Sequence, residues 1–298
     1  MKDDGALVLL PVTKKVKKEI AIDANGVSTR YIIRKMIGTY INGADQIDIA
    51  GPIGRADRRL IRRAAKDMLI GVEISEDEDK ISIQCIIDIS KLSNRKIFEN
   101  AYKATNWMYV TVFSALSERD SELAKDVIDQ DSDVDRLTIL AIRLLNLAAK
   151  DPSFSECVEI AGCDALNYRA LIDHIETMAD HCVNIAQAIT DIVDKDIPED
   201  LVSTIIETSE KINKIYADVF YAFWYRKPEL ADKTIEDATE IENTVLSIEN
   251  KSRVLTDKRI TDTADVVGAI AIIIDNMGSI LHISKNIGEL VIDMEEDI

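Results

Sequence analysis

The sequence predicts a mainly α protein in which a small α/β domain, residues 1–92, precedes two tandem three-helix bundles, residues 93–197 and 198–298. Three observations predict it. Aromatic residues are 5% of the chain, with only 11 glycines and 5 prolines in 298 residues, a composition poor in turns. From Leu92 onward apolar residues recur at alternating intervals of three and four, as on helices packed against helices. The helical part also repeats itself: VTVFSALSERDSELA from Val110 aligns with ADVFYAFWYRKPELA from Ala217 at an offset of 107, with seven identities in fifteen.

In the first segment, LVLLPV from Leu7, KEIAID from Lys18, DQIDIAG from Asp45, GVEIS from Gly71 and KISIQCIIDI from Lys80 read as strands. Helical spacing covers residues 29–41, closed by Asn42-Gly43, and residues 55–68. In the second helix Arg55, Arg58, Arg59, Arg62, Arg63 and Lys66 share a face opposite Leu60, Ile61, Ala64 and Met68. The face is expected to be solvated or docked on the chain's own acidic bundle; an acidic protein partner and nucleic-acid contact are the alternatives, and no aromatics interleave these cations in support of the last.

The formal net charge is −18, with 14 Lys/Arg against 8 Asp/Glu in residues 1–70 and 22 against 46 afterwards. Such a body repels a phosphate backbone, and direct nucleic-acid binding by the chain as given is not expected. Four cysteines without a CxxC pair or a preceding signal peptide fit a cytoplasmic protein with reduced thiols. The longest apolar run, Val266 to Ile274, ends at Asp275 and is too short to cross a bilayer, so no membrane insertion is expected.

The first bundle is expected to have helices at 94–118, 121–150 and 156–194, and the second at 199–225, 228–255 and 261–294. Pro228 stands where a helix start tolerates proline, while Pro152 and Pro198 break the chain at junctions. On the third helix Leu171, Ile175, Met178, Cys182, Ile185, Ile189 and Ile192 form the seam. Four of these match Ile270, Ile274, Met277 and Leu281 at an offset of 99.

Away from that seam, Glu176 and Asp180 lie one turn apart. DVIDQDSDVDR, from Asp126, puts five aspartates on the preceding helix, with Asp131/Asp135 and Asp129/Asp133 as like-charge pairs. Each such pair costs about 0.2–0.5 kcal/mol on an exposed helix. A solvated acidic face is the plain reading, and a shared cation is the sharper one. Carboxylates with three histidines and no Cys pair suit Mg²⁺, Mn²⁺, Ca²⁺ or iron rather than structural zinc. His181 is a weaker candidate ligand.

ETMADHCVNIAQ, together with DSDVDR on the other helix, resembles the metal-binding helices of the PhoU family of phosphate-uptake regulators, which carry patterns such as E-R-I-A-D-H-A-x-N-I-A-E. The usual Arg after the Glu is Thr177 here, so that residue's role does not carry over. GALVLLP resembles the last strand of the AbrB-like DNA-binding segment of archaeal PhoU-like regulators, and the body of such a segment is missing from the sequence. The resemblance implies two PhoU-like bundles and a cation, iron, zinc, Mg or Mn, on Asp131, Asp135, Glu176 and Asp180. Transferred to the second repeat, those positions become Ala238, Glu242, Asp275 and Ser279, leaving Glu242 and Asp275 as weaker candidates.

The function so implied is a metal-binding, non-enzymatic adaptor of phosphate uptake and phosphate-responsive signalling or transcription. It would act on a phosphate transporter ATPase or a sensor kinase or regulator, as a homodimer or higher homo-oligomer. The alternatives are a carboxylate-metal phosphoesterase and a purely structural helical scaffold. No GxSxG, Walker or GxGxxG motif supports nucleophilic or nucleotide chemistry.

Overall fold

The computed structural model describes residues 17–158, 160, 164–254 and 263–294; the strand expected at LVLLPV lies outside them. The described chain forms two compact units, one of residues up to Phe98 with Ile139–Tyr168, the other of Glu99–Thr138 with the residues from Arg169 onward.

In the first unit β1 (Glu19–Asp23), α1 (Thr29–Ile41), β2 (Gln46–Ala50), α2 (Arg55–Met68), β3 (Val72–Glu76) and β4 (Lys80–Cys85) follow the sequence expectation closely. The strand order is β1-β2-β4-β3; β1 and β2 are parallel, and β4 runs antiparallel to both neighbours. Alternation along the strands sends Ile22, Ile47, Ile49, Ile81 and Ile83 into a core with Ile32, Met36, Tyr40, Ile61 and Ala65. Asp48 stands between those core positions and accepts from Ser82 Oγ at 2.6 Å and Gln46 Nε2 at 3.0 Å, bonds that hold its carboxyl below the usual range. Gly71 has φ +73, and a Cβ there would run into the Ile87 side chain, so only glycine serves before β3.

Helix α1 ends in a cage of donors. Arg143 Nη1 donates to the Tyr40 carbonyl, Asn146 Nδ2 to Ile41 O at 3.2 Å, and Lys150 Nζ to Asn42 O at 3.2 Å. Lys18 Nζ also reaches Asn42 O, at 3.0 Å. Residues 143, 146 and 150 share one helical face, so a single helix meets the negative end of the α1 dipole with two cations. Arg143 is 2% exposed, and its guanidinium lies 4.5 Å from the centre of the Tyr40 ring.

A 3₁₀ turn at Ile89–Lys91 leads into α3 (Asn94–Glu118) and α4 (Ser121–Lys150). The helix expected over 156–194 is two helices, α5 (Pro152–Cys157) and α6 (Asp164–Ile192). The cause is local. Asp151 caps the short helix, accepting from Ser153 N at 3.0 Å and Phe154 N at 3.4 Å, and Pro152 pre-sets its first turn. Val158 closes it.

The second copy consists of α7 (Glu199–Tyr225), α8 (Pro228–Val254) and α9 (Thr263–Ile292). Its first helix ends as α3 does: Arg119 and Arg226, equivalent at the offset of 107, both follow their helix in the left-handed region, with φ 55 and 48. In the second unit Tyr109 Oη donates to Ser209 O at 3.0 Å and Tyr102 stacks on Phe220 at 4.0 Å, joining the first helices of the two copies. Helix α9 is long and apolar enough to cross a membrane by length and composition, which the longest apolar run alone did not suggest. In the bundle its Ile270, Ile273, Met277, Ile280 and Leu281 are buried.

Candidate metal centre

The α6 seam is closed to solvent: Leu171, Ile175, Met178, Cys182, Ile185, Ile189 and Ile192 are each 0% exposed. On α4, Val127, Val134, Ala141 and Leu144 are equally buried. Anchoring both helices by these stripes fixes the direction of everything between the apolar positions. The aspartates of α4 separate into two sets. Asp131 and Asp135 are half-buried, whereas Asp126, Asp129 and Asp133 are exposed.

Asp131, Asp135, Glu176 and Asp180 come together within the second unit. Burial pushes the Asp131 carboxyl up to about 6, and Asp135 and Asp180 push the same way. Asp135 is raised by burial and then by Asp180. Glu176 is raised by burial, then by Asp135, Asp180 and Asp173, against a lowering by Arg169. The mutual repulsion places the acids predicted on two separate helices in one field. Among the described residues no three His, Cys, Asp or Glu side chains are gathered closely enough to hold a metal ion as they stand. The donor set, four carboxylates half-buried or exposed, is of the kind that an oxygen-preferring cation takes.

The second-repeat candidates are placed differently. Glu242 is engaged by Lys285, whose Nζ lies 3.0 Å from Oε1. Asp275 lines a cavity of about 820 Å³ together with His174, His181 and His282, the three histidines of the chain. This cavity was not legible in the sequence, apart from the seven-residue spacing of His174 and His181 on α6.

Hydrogen bonding in the cavity wall orients the ring of His181. Asn276 Nδ2 donates to Ile272 O at 2.7 Å, so its Oδ1 is the atom facing His181 Nδ1 at 2.7 Å and Asn184 Nδ2 at 3.3 Å. Nδ1 therefore donates to Asn276 Oδ1. Burial holds His174 below the usual histidine range, opposed by Asp173 and reinforced by His282.

A family model described as the PhoU domain matches residues 99–189, a span that contains all four carboxylates. The fold is similar to the crystal structure of the phosphate transport system regulatory protein PhoU from Streptococcus pneumoniae. That match has a TM-score of 0.56 and 16% identity, covering 67% of this chain and 91% of the other. It is also similar to PhoU from Pseudomonas aeruginosa, with a TM-score of 0.51 and 13% identity over 67% and 93% of the two chains. No curated protein matches in sequence.

Proposed function

We propose, from the premise that this chain is a PhoU-domain protein, that it regulates phosphate transport through protein contacts and that a cation held by Asp131, Asp135, Glu176 and Asp180 supports that role. The observation carrying the reading is the partial burial of Asp131, Asp135 and Glu176 and the repulsion that they share with the exposed Asp180 inside the matched span. A bound cation would supply the positive charge that this field lacks. The residues themselves hold it from two helices, with Ile175, Met178 and Cys182 fixing the α6 donors from behind. The all-carboxylate donor set suits Mg, Mn or iron, and zinc enters only through the family resemblance.

Partner contacts follow from charge. A body with 46 acids against 22 bases beyond residue 70 is suited to basic patches of a transporter ATPase or of a sensor kinase. Deleting the gene is expected to change phosphate uptake or phosphate-dependent expression, and the protein is expected to co-purify with a component of that system. Unchanged phosphate responses, together with hydrolysis of a phosphate ester by the metal-loaded protein at about 1 per second or faster, would give the site to an enzyme instead.

A further inference from the structure

Two exposed helix faces carry opposite charge in the same register. On α2 the stripe is Arg55, Arg59, Arg62 and Lys66, spaced four, three and four; on α4 it is Glu122, Asp126, Asp129 and Asp133, also spaced four, three and four. All eight residues are exposed. Each stripe climbs about 16.5 Å along its helix, so the two match turn for turn.

Neither stripe is neutralised at home. Arg62 shares Glu76 at 3.1 Å, Glu122 meets Lys125 at 2.6 Å and Asp133 meets Arg136 at 3.6 Å. Among the described residues Arg55, Arg59, Lys66, Asp126 and Asp129 have no ion-pair partner. Within each stripe, neighbours one turn apart repel. An opposing helix with the complementary stripe would relieve both sets, and this chain itself provides that helix.

We propose that α2 of one copy docks along the outer face of α4 of a second copy, as an electrostatic helix–helix contact between molecules of this chain. Each copy carries one stripe of each kind, so each can give and receive the contact. The acids involved are Asp126, Asp129 and Asp133, on the opposite side of α4 from the inward pair Asp131 and Asp135, so the contact is independent of the cation site and of the phosphate reading.

The test is sedimentation velocity on the full chain and on two charge-reversed variants, Arg59→Glu/Lys66→Glu and Asp126→Lys/Asp129→Lys, with far-UV circular dichroism confirming that each is folded. The wild type is expected to self-associate, weakening about tenfold or more between roughly 50 mM and 500 mM salt. Each variant alone is expected to stay monomeric, because its altered stripe holds two positive and two negative charges and so has no net attraction for the intact stripe of opposite kind. Mixed together, they are expected to form a one-to-one pair through the unaltered α2 stripe of one and the unaltered α4 stripe of the other. The milder Arg59→Gln/Lys66→Gln variant should weaken association in the same direction if a reversal unfolds the protein. Self-association of either reversed variant at wild-type strength, or a mixture that stays apart, overturns the proposal. So does a wild type that remains monomeric at low salt while its α2 face binds a short DNA duplex.

Discussion

Arg143→Ala is expected to cost about 3 kcal/mol of folding stability, the loss of a large buried side chain together with the cavity it leaves. Arg143→Met is expected to cost less than about 1 kcal/mol. The contrast follows from how the buried charge is held. No carboxylate is among its hydrogen-bond partners: Nη1 donates to the Tyr40 carbonyl, the guanidinium lies over the Tyr40 ring, and Nε has no partner. The Tyr40 carbonyl keeps a second donor, Gly43 N at 2.9 Å, after the arginine is gone. Methionine therefore fills the space without orphaning an acceptor, whereas alanine leaves a void. Urea unfolding followed by circular dichroism measures both; equal losses would show that the charge, not the volume, stabilises the α1 terminus.

Asp131→Asn is expected to stabilise the cation-free protein near neutral pH and to destabilise the cation-loaded one. The folded protein holds the Asp131 carboxyl at about 6, above the ordinary value of 3.8. Protonated Asp131 thus favours folding at low pH, below its unfolded value, and that advantage is lost as pH rises through about 6. The displacement corresponds to at most about 3 kcal/mol. Solvent screening of a half-exposed group reduces the expected gain from asparagine to about 1 kcal/mol. Thermal unfolding at about pH 5 and pH 7.5, in chelator and then in manganese, reads the sign directly. A variant indistinguishable from wild type at the higher pH in chelator would remove the proposed repulsion.

Most of the architecture was legible because it rests on short-range signals. The apolar spacing of α4, and the cap signals around α1, gave helices whose ends the structure reproduces closely. The expected single helix over 156–194 failed for an equally local reason: Asp151-Pro152 acts as a helix start, and was read only as a break. What spacing could not show was partnership across the chain. Arg143 meets Tyr40 from 103 residues away, His181 meets Asn276 from 95, and Lys285 claims Glu242 from 43.

Spacing alone gave Asp131/Asp135 and Asp129/Asp133 as equivalent pairs, and the family resemblance singled out Asp131 and Asp135, with Glu176 and Asp180, as candidates. The division of the α4 aspartates into an inward pair and an outward stripe depends on which face the buried seam of α4 selects. It also required the structure to show that a single helix contributes to two compact units: α4 carries the acids in one and Arg143, Asn146 and Lys150 in the other.

Equilibrium binding of a divalent cation by untagged, chelator-treated protein tests the central claim most directly, with the wild type compared against Glu176→Gln/Asp180→Asn. The account predicts saturable binding by the wild type and an affinity about tenfold or more weaker in the double variant, with circular dichroism unchanged. Equal affinity in the two proteins would contradict it and leave the four carboxylates as a solvated acidic face.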